Sequence, residues 1–448
     1  MRIRELVMAG LARSLMVALL AGTALLVAPA AHAQSGALDA RTFDQLTKAQ
    51  RLATEGRHDD AIYVLDRLQG RGELNSYGRS QLHNFYAFIY ASRDRFEDAI
   101  DSYHKVLAEE DAPEGLILTA KYTIGQLYFQ LQEYDKCIAF IEEWLAASDK
   151  PTPTAHIMLA QAYYQKKEME TALTNVDQAI ALQREAGKSI AEGWLRLKAV
   201  LHYSQKDYAA TAAVYEELVQ SYPKPEFLKQ LAGMYSELGR DDERLAVFDA
   251  LYEHGALDTG TEVLNLAYMW MGSQVPYKAG RIIEDGIANG TIEESRKTVE
   301  TLANAWAQAN EYRRAVPTLT RVAELTGEGI FHARLAGVHF NAGEYALAAE
   351  SAARADELGG LKSTGGNLML QGMAYYNIRD YESALQSFRQ AKDDRDTFDA
   401  ARKWESYTLD EINRIRAIAK AREDLEQRTR DALEAQENNV RAIGLNPS

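Results

Sequence analysis

The chain has 448 residues, 26% of them charged, and its formal net charge at pH 7 is −15. This acidic balance argues against nucleic acid as a partner, because contacts to phosphates depend on basic patches. It favours basic or neutral protein segments instead. The chain has one cysteine, Cys137, so no internal disulfide is possible.

The first 33 residues predict a secretory signal peptide. Early arginines precede an apolar run, Leu15–Ala28, and the small residues Ala31 and Ala33 form a small-x-small cleavage site. The run is shorter than the roughly 20 residues that a membrane span needs. We expect cleavage after Ala33, export and no membrane span afterwards; an uncleaved anchor is the alternative. Gln34 stands where a lipoprotein would carry cysteine, and loss of the leader would change the net charge to −17, since the leader holds three arginines and one glutamate.

A short phrase, an aromatic residue or Met followed three residues later by a small residue, then recurs every 33 to 39 residues. The last residues of these phrases mark ten repeats: Ala61, Ala99, Cys137, Ala172, Thr211, Arg244, Ala279, Ala315, Ala348 and Ala384. Twelve residues earlier stands another small residue, usually with a ring three positions further on. Examples are Ala87 with Tyr90, Gly125 with Tyr128, Ala160 with Tyr163, Ala303 with Trp306 and Gly372 with Tyr375.

This spacing predicts a helix, a tight turn and a second helix in each repeat, because residues three apart share a helix face. The small residues let the two helix axes approach, and the rings fill the space between consecutive pairs. One pair cannot bury its apolar face alone, so the units are expected to stack into a solenoid.

The repeat resembles the tetratricopeptide repeat (TPR) family, and the fifth unit fits its pattern well. The matching residues there are Leu195, Ala199, Tyr208, Tyr215, Leu218 and Pro223. The resemblance implies an all-α, superhelical solenoid of about ten repeats over residues 42–392. Arg244 departs from the pattern where a small residue is usual, and Gly286 where an apolar one is expected. Pro317 falls inside a predicted second helix and is expected to bend it.

Residues 393–448 predict capping helices and a charged tail. Ala401 and Trp404 repeat the small-and-ring pair of a first helix, and Ile412, Ile415 and Ala419 continue an apolar seam. We interpret this as a capping helix pair that seals the end of the solenoid. The segment from Lys420 to Arg441 carries five basic and six acidic residues, and projects into solvent or pairs with a partner.

The sequence shows no sign of catalytic chemistry, a metal or a cofactor. No glycine-rich phosphate loop is present, and the histidines are scattered over different repeats. His332 and His339 lie seven residues apart, but no carboxylate or cysteine joins them at a metal-ligand spacing. Cys137 occupies a small-residue position and is interpreted as core. We therefore expect a non-enzyme.

The resemblance implies that the first helices line a concave face on which peptides bind. The positions beside the packed seam carry rings, which offer a large contact area at low entropic cost. The predicted peptide-binding residues are Phe88, Tyr122, Phe129, Tyr164, Tyr203, Tyr268, Phe340 and Tyr376. Packing against the neighbouring repeat is an equally good explanation of any single ring.

Two stretches go beyond the general repeat, Tyr128–Gln165 and Leu231–Ile287. The second contains VPYKAGRIIEDGI, from Val275 to Ile287. They resemble exported TPR proteins associated with TonB, ExbB and ExbD energy-transduction systems of Gram-negative bacteria. The resemblance implies a scaffold in the periplasm of a Gram-negative bacterium that helps a TonB-type transducer act on outer-membrane transport. A periplasmic scaffold for envelope assembly, polysaccharide export or cell-wall synthesis is the alternative; an enzyme or solute-binding protein is disfavoured, since no convergent polar site is evident.

Overall fold

The structure is a computed structural model that describes residues 38–149 and 152–442. The predicted signal peptide lies outside the described residues. In the described part every regular element is a helix. The first helix of each hairpin has an odd label: α1 Ala40–Thr54, α3 Ser76–Ala91, α5 Glu114–Gln130, α7 Pro153–Gln165, α9 Glu192–Ser204, α11 Pro225–Glu237, α13 Gly260–Gly272, α15 Arg296–Gln308, α17 Gly329–Asn341 and α19 Thr364–Asn377.

The second helix of each hairpin has an even label, and one long helix comes after the last hairpin. These are α2 His58–Gln69, α4 Phe96–Leu107, α6 Tyr134–Ala147, α8 Met169–Glu185, α10 Tyr208–Ser221, α12 Asp241–Glu253, α14 Pro276–Ala288, α16 Tyr312–Thr326, α18 Tyr345–Leu358, α20 Tyr381–Ala391 and α21 Phe398–Ala442. The ten predicted helix-turn-helix units are therefore confirmed.

All ten hairpins share one turn geometry. The residue two positions before each second helix has a left-handed backbone with φ from 57° to 78°. The next N–H donates to the carbonyl oxygen five residues earlier, as Glu133 does to Tyr128. This arrangement satisfies a carbonyl that the end of the first helix would leave without a partner. The left-handed residues are Gly56, Asp94, Gln132, Lys167, Lys206, Gly239, Gln274, Asn310, Gly343 and Arg379.

The repeated small residues lie where the two helices of a hairpin approach each other. Ala61, Ala99, Ala172 and Ala348 are fully buried, and so is Cys137, where burial raises the pKa of the thiol to about 12. A Cβ atom built on Gly125 would lie 2.5 Å from Ile141 Cδ1. The small residues thus set the distance between the helices, as predicted.

The rings of the repeat join consecutive hairpins. Tyr90, Tyr128 and Tyr163 each pack against two successive hydrophobic clusters. Tyr163 also donates a hydrogen bond of 2.7 Å to Glu142 on the second helix of the preceding hairpin. Tyr235 donates to Glu216 in the same relation, at 2.9 Å. The rings therefore fill the wedge between hairpins, as expected.

Both departures from the repeat have a local explanation. A Cβ atom on Gly286 would lie 2.6 Å from Ile292 Cδ1, so a loop residue supplies the apolar side chain that the repeat lacks. Arg244 remains half-buried and contacts Ser236 and Asp241 at 3.0 Å each. Helix α16 continues through Pro317, whose side chain is exposed.

The described chain divides into two compact units, the first ending at Val247 and the second beginning at Phe248. In the first unit, hydrophobic clusters succeed one another from Leu46 near its start to Tyr235 near its end. In the second, clusters around Phe331, Ala374 and Phe388 do the same. Each core is thus distributed along its hairpins, as in other repeat folds.

The C-terminal region corrects one expectation. Instead of a capping helix pair, residues 398–442 form the single helix α21. Trp404 stacks on Phe388 of the last hairpin, and Ile412 is buried. Ile415 and Ala419 of the predicted seam are exposed, because within the described chain the last hairpin covers only the beginning of α21. None of the helices in the described ranges is both long and apolar enough to cross a membrane.

Candidate functional site

The predicted peptide-binding rings fall at a recurrent place in the hairpin. Five of them are the second-to-last residues of their first helices, beside the turn: Phe129, Tyr164, Tyr203, Phe340 and Tyr376. Phe88, Tyr122 and Tyr268 lie earlier on their helices. The row of rings in each unit therefore runs along the ends of the first helices that lead into the turns.

Exposure divides the eight rings into two groups. The side chains of Tyr203 and Tyr268 are 52% and 41% exposed, so both can contact another molecule. The other six are half-buried. The structure thus leaves an accessible ring on α9 in the first unit and another on α13 in the second.

Four of the eight rings contact another ring across their own turn. Phe129 contacts Tyr134, Phe340 contacts Tyr345 and Tyr376 contacts Tyr381, with centroids 5.2 to 5.6 Å apart in a T-shaped geometry. Tyr203 contacts Tyr208 across its own turn at 5.9 Å. Each partner is the first residue of the second helix, five positions on, so these rings close their own hairpin as well as facing outward.

The remaining rings have individual surroundings. Tyr122 packs on Trp144 at 4.9 Å, and burial raises the pKa of its hydroxyl. Phe88 and Tyr164 pack against the hydrophobic clusters of their own unit. The Tyr268 hydroxyl lies 3.4 Å from Thr301 Oγ1.

An open pocket of about 550 Å³ lies between the turns of the fourth and fifth hairpins. Met169 supplies its apolar part, and Glu168, Glu170 and Lys167 supply charge of both signs. Gln205, two residues after Tyr203, is on the opposite wall. This edge of the first unit therefore combines a concave surface with the most exposed of the eight rings.

The histidines and carboxylates of the described residues form pairs, not metal-binding clusters. No group of three or more His, Cys, Asp or Glu side chains in the described part could hold a metal ion. His339 Nδ1 lies 2.6 Å from Glu344 Oε2, and the equivalent His202 lies 3.8 Å from Asp207. Both histidines occupy the ring position of their repeat. His339 connects its first helix to the turn, whereas His202 Nδ1 makes no hydrogen bond within the described chain.

Two features of this edge have no counterpart in the sequence patterns. The ring pairs span five positions, which is not a helical spacing, so only the turn brings them together. Seven of the ten left-handed turn residues are not glycine, and five of these, Gln132, Lys167, Lys206, Gln274 and Arg379, are residue types with no preference for φ above zero. The feature that they share is their position in the repeat, since each lies two residues before a second helix.

Family comparisons agree with this geometry. Residues 157–225, which cover the fourth and fifth hairpins, match a tetratricopeptide repeat family model. Residues 64–188 match the C-terminal domain of the RNPP family. A search of curated proteins gave no match.

Several solved structures are similar to parts of the chain. MamA from Desulfovibrio magneticus RS-1 is 16% identical over 41% of this chain and 96% of its own, with a TM-score of 0.34. A complex of the TPR2AB domain of yeast Sti1 with pHSP90 is 16% identical over 59% and 99%, with a TM-score of 0.32. A tetratricopeptide repeat protein from Parabacteroides merdae ATCC 43184 is 14% identical over 57% and 98%, with a TM-score of 0.27.

Identities and TM-scores this low carry no inference about function. The family match and the hairpins themselves are more direct, since the same turn, the same buried small residues and the same wedge rings recur along the chain. With these repeats the chain has the fold of a tetratricopeptide repeat protein, an architecture typical of non-enzymatic scaffolds for protein interactions.

Proposed function

We propose that the protein is a periplasmic scaffold that binds a TonB-type transducer and supports TonB-dependent transport at the outer membrane. The observation that carries its binding role is the repetition of one hairpin ten times, with rings left accessible on the first helices. Repeat folds of this kind bind partners along extended surfaces. Tyr203, the most exposed of the predicted rings, is the proposed centre of contact in the first unit.

Charge and sequence support the choice of partner. The protein is acidic, and more so if the signal peptide is removed. Periplasmic transducers carry extended segments rich in proline and lysine. Aromatic side chains suit proline-rich backbones, and carboxylates attract lysine at long range. The VPYKAGRIIEDGI segment, at α14 in the structure, supplies the resemblance to TonB-associated proteins.

Binding can be tested with the purified chain lacking residues 1–33 and a fluorescent peptide from the Pro- and Lys-rich segment of the organism's TonB-type protein. Tyr203→Ala should weaken binding by about 1–2 kcal/mol, or roughly 5- to 30-fold in Kd, as expected for an aromatic anchor. Anisotropy gives the Kd, and circular dichroism checks that the helices persist.

Tyr63→Ala is the matched control, since Tyr63 is 61% exposed but lies on the second helix α2. It should leave the Kd unchanged. Equal loss in both variants would reject the first-helix rings as the contact. Absence of binding by the wild-type chain, with cell-wall synthases recovered instead by crosslinking in the periplasm, would reject the transducer as partner.

Location has its own test. Fractionation of cells expressing the full chain should place the protein in the periplasm, and mass spectrometry should give an N-terminus at Gln34. A protein retained at the inner membrane with residues 1–33 intact would contradict this part of the proposal.

A further inference from the structure

The second part of α21 lies outside the hairpin packing. Every residue from Asn413 to Asn439 is exposed. This stretch is about 40 Å long at 1.5 Å per residue. It nevertheless carries large apolar side chains at Ile415, Ile418, Leu425 and Leu433, which are 41% to 64% exposed.

Three of these side chains, Ile415, Ile418 and Leu425, continue the face with which α21 packs on the last hairpin. Spacings of three and four residues alternate without a break through Ala401, Trp404, Thr408, Glu411, Ile415, Ile418, Arg422, Leu425, Thr429 and Ala432. At the start of this series Ala401 and Thr408 are fully buried and Trp404 stacks on Phe388. From Ile415 onward the same heptad series has no covering helix in the described chain. Such spacing is typical of a helix that pairs with another helix.

Charge is distributed unevenly along the same stretch. Residues 413–422 contain four basic side chains and no acidic one, whereas residues 423–437 contain six acidic and two basic ones. Some of these side chains form ion pairs within the chain, for instance Arg422 with Glu426 at 3.2 Å and Arg416 with Glu382 at 3.0 Å. By sequence, the helix therefore has a basic half followed by an acidic half.

We infer that two copies of the protein associate through residues 413–439 of α21, in an antiparallel helix pair. An antiparallel arrangement places the basic half of one helix against the acidic half of the other, and the apolar stripe of each covers the other. A parallel arrangement would place like charges side by side, which is unfavourable. Near the centre, Arg422 would face the 423–428 stretch of the other copy, which carries three carboxylates and one arginine, Arg428, and so remains net acidic. A charged residue in an apolar seam helps to fix register.

The dimer is tested with the chain lacking residues 1–33 by sedimentation equilibrium over the micromolar range. The wild type should be dimeric. Ile418→Glu with Leu425→Glu should raise the dimer Kd at least tenfold, because it places four carboxylates in the paired seam. Asn413→Glu with Gln427→Glu adds the same charge outside the apolar seam and should remain dimeric. A monomeric wild type, or equal loss in both double variants, would overturn the inference.

Orientation is tested with a spin label at Asn413→Cys, since Cys137 is buried and out of reach of the label. If the pair crosses near residue 425, the two labels are about 36 Å apart along the helix axis. A parallel pair would bring them within roughly 15 Å, because interaxial distances are about 8–10 Å. The long distance between the labels, together with weaker dimerisation at higher salt concentration, would support the antiparallel pair. The short distance would overturn it.

Discussion

The hairpins and the second half of α21 use the same residue spacing with opposite results. In the hairpins, apolar residues at intervals of three and four are enclosed by the next helix: Leu65, Leu127 and Phe388 are fully buried. In α21, Ile418 and Leu425 continue an equivalent series and are exposed. Periodicity therefore identifies the face that packs, whereas the covering surface must come from the next element of the chain or from another molecule.

The largest expected contrast is between Phe388→Ala and Leu425→Ala in the second unit. Phe388→Ala leaves a cavity beside Trp404 and should lower the free energy of unfolding by about 3–5 kcal/mol. Leu425→Ala should change it by no more than about 0.5 kcal/mol in dilute solution, where the helix is unpaired. Urea unfolding at low protein concentration measures both. Comparable losses would mean that α21 is covered within the single chain.

Two glycines inside helices allow a comparison of a closely packed position with one that has free space around it. A Cβ atom on Gly280 would lie 2.8 Å from the ring of Trp306, so Gly280→Ala should destabilise the protein by about 1–3 kcal/mol. Gly337 has nothing within 4 Å of its would-be Cβ atom, and Gly337→Ala should stabilise by about 0.4–1 kcal/mol. Thermal unfolding of both variants shows whether each substitution stabilises or destabilises the protein. Stabilisation by Gly280→Ala would show that α14 and Trp306 can separate without loss.

The turns allow a test with a smaller expected effect, because their stability depends on backbone conformation more than on side-chain burial. Lys206 has φ of 60°, so Lys206→Gly should stabilise by about 0.5–1 kcal/mol despite the greater freedom of glycine in the unfolded chain. Gly239, with φ of 67°, is the reciprocal position, and Gly239→Ala should destabilise by about 1 kcal/mol. Denaturation midpoints of both variants measure these changes in stability. Loss of stability in Lys206→Gly would indicate that the lysine side chain stabilises the fold by more than the left-handed backbone conformation destabilises it.

The smallest expected effect concerns an enclosed histidine. Burial, and secondarily Lys105, holds the pKa of His83 below its usual value. The unfolded chain therefore binds a proton more readily than the fold does, and stability should decline as the pH falls below about 6.5. In His83→Gln this decline should be shallower, as measured by urea midpoints at pH 7.5 and 5.5. Identical slopes in the wild type and His83→Gln would exclude a contribution from His83.

Helix pairs and seams could be predicted from the sequence because they depend on local spacing. Ala99, Cys137 and Gly125 lie at the packed positions to which the repeat assigns them. The roles of the rings were less predictable, since Phe129 and Tyr376 contact residues across the turn at a spacing that no helix produces. The proposed contribution of these rings to peptide binding stays a prediction.

The C-terminal region shows the limit of such reasoning. Ile412 and Ile415 belong to one apolar seam in the sequence, yet only Ile412 is covered. Local sequence patterns do not indicate how far along α21 the contact with the preceding hairpin extends. The same applies to Gly286, whose missing side chain is replaced by Ile292 from a loop that the repeat does not specify.

The bridges between hairpins have a consequence for how such a protein evolves. Tyr163 with Glu142 and Tyr235 with Glu216 join different neighbours through equivalent positions, so the junctions are interchangeable. Recombination that adds or removes one whole hairpin within a unit would recreate a matching junction on both sides. The length of the array can therefore change by entire repeats.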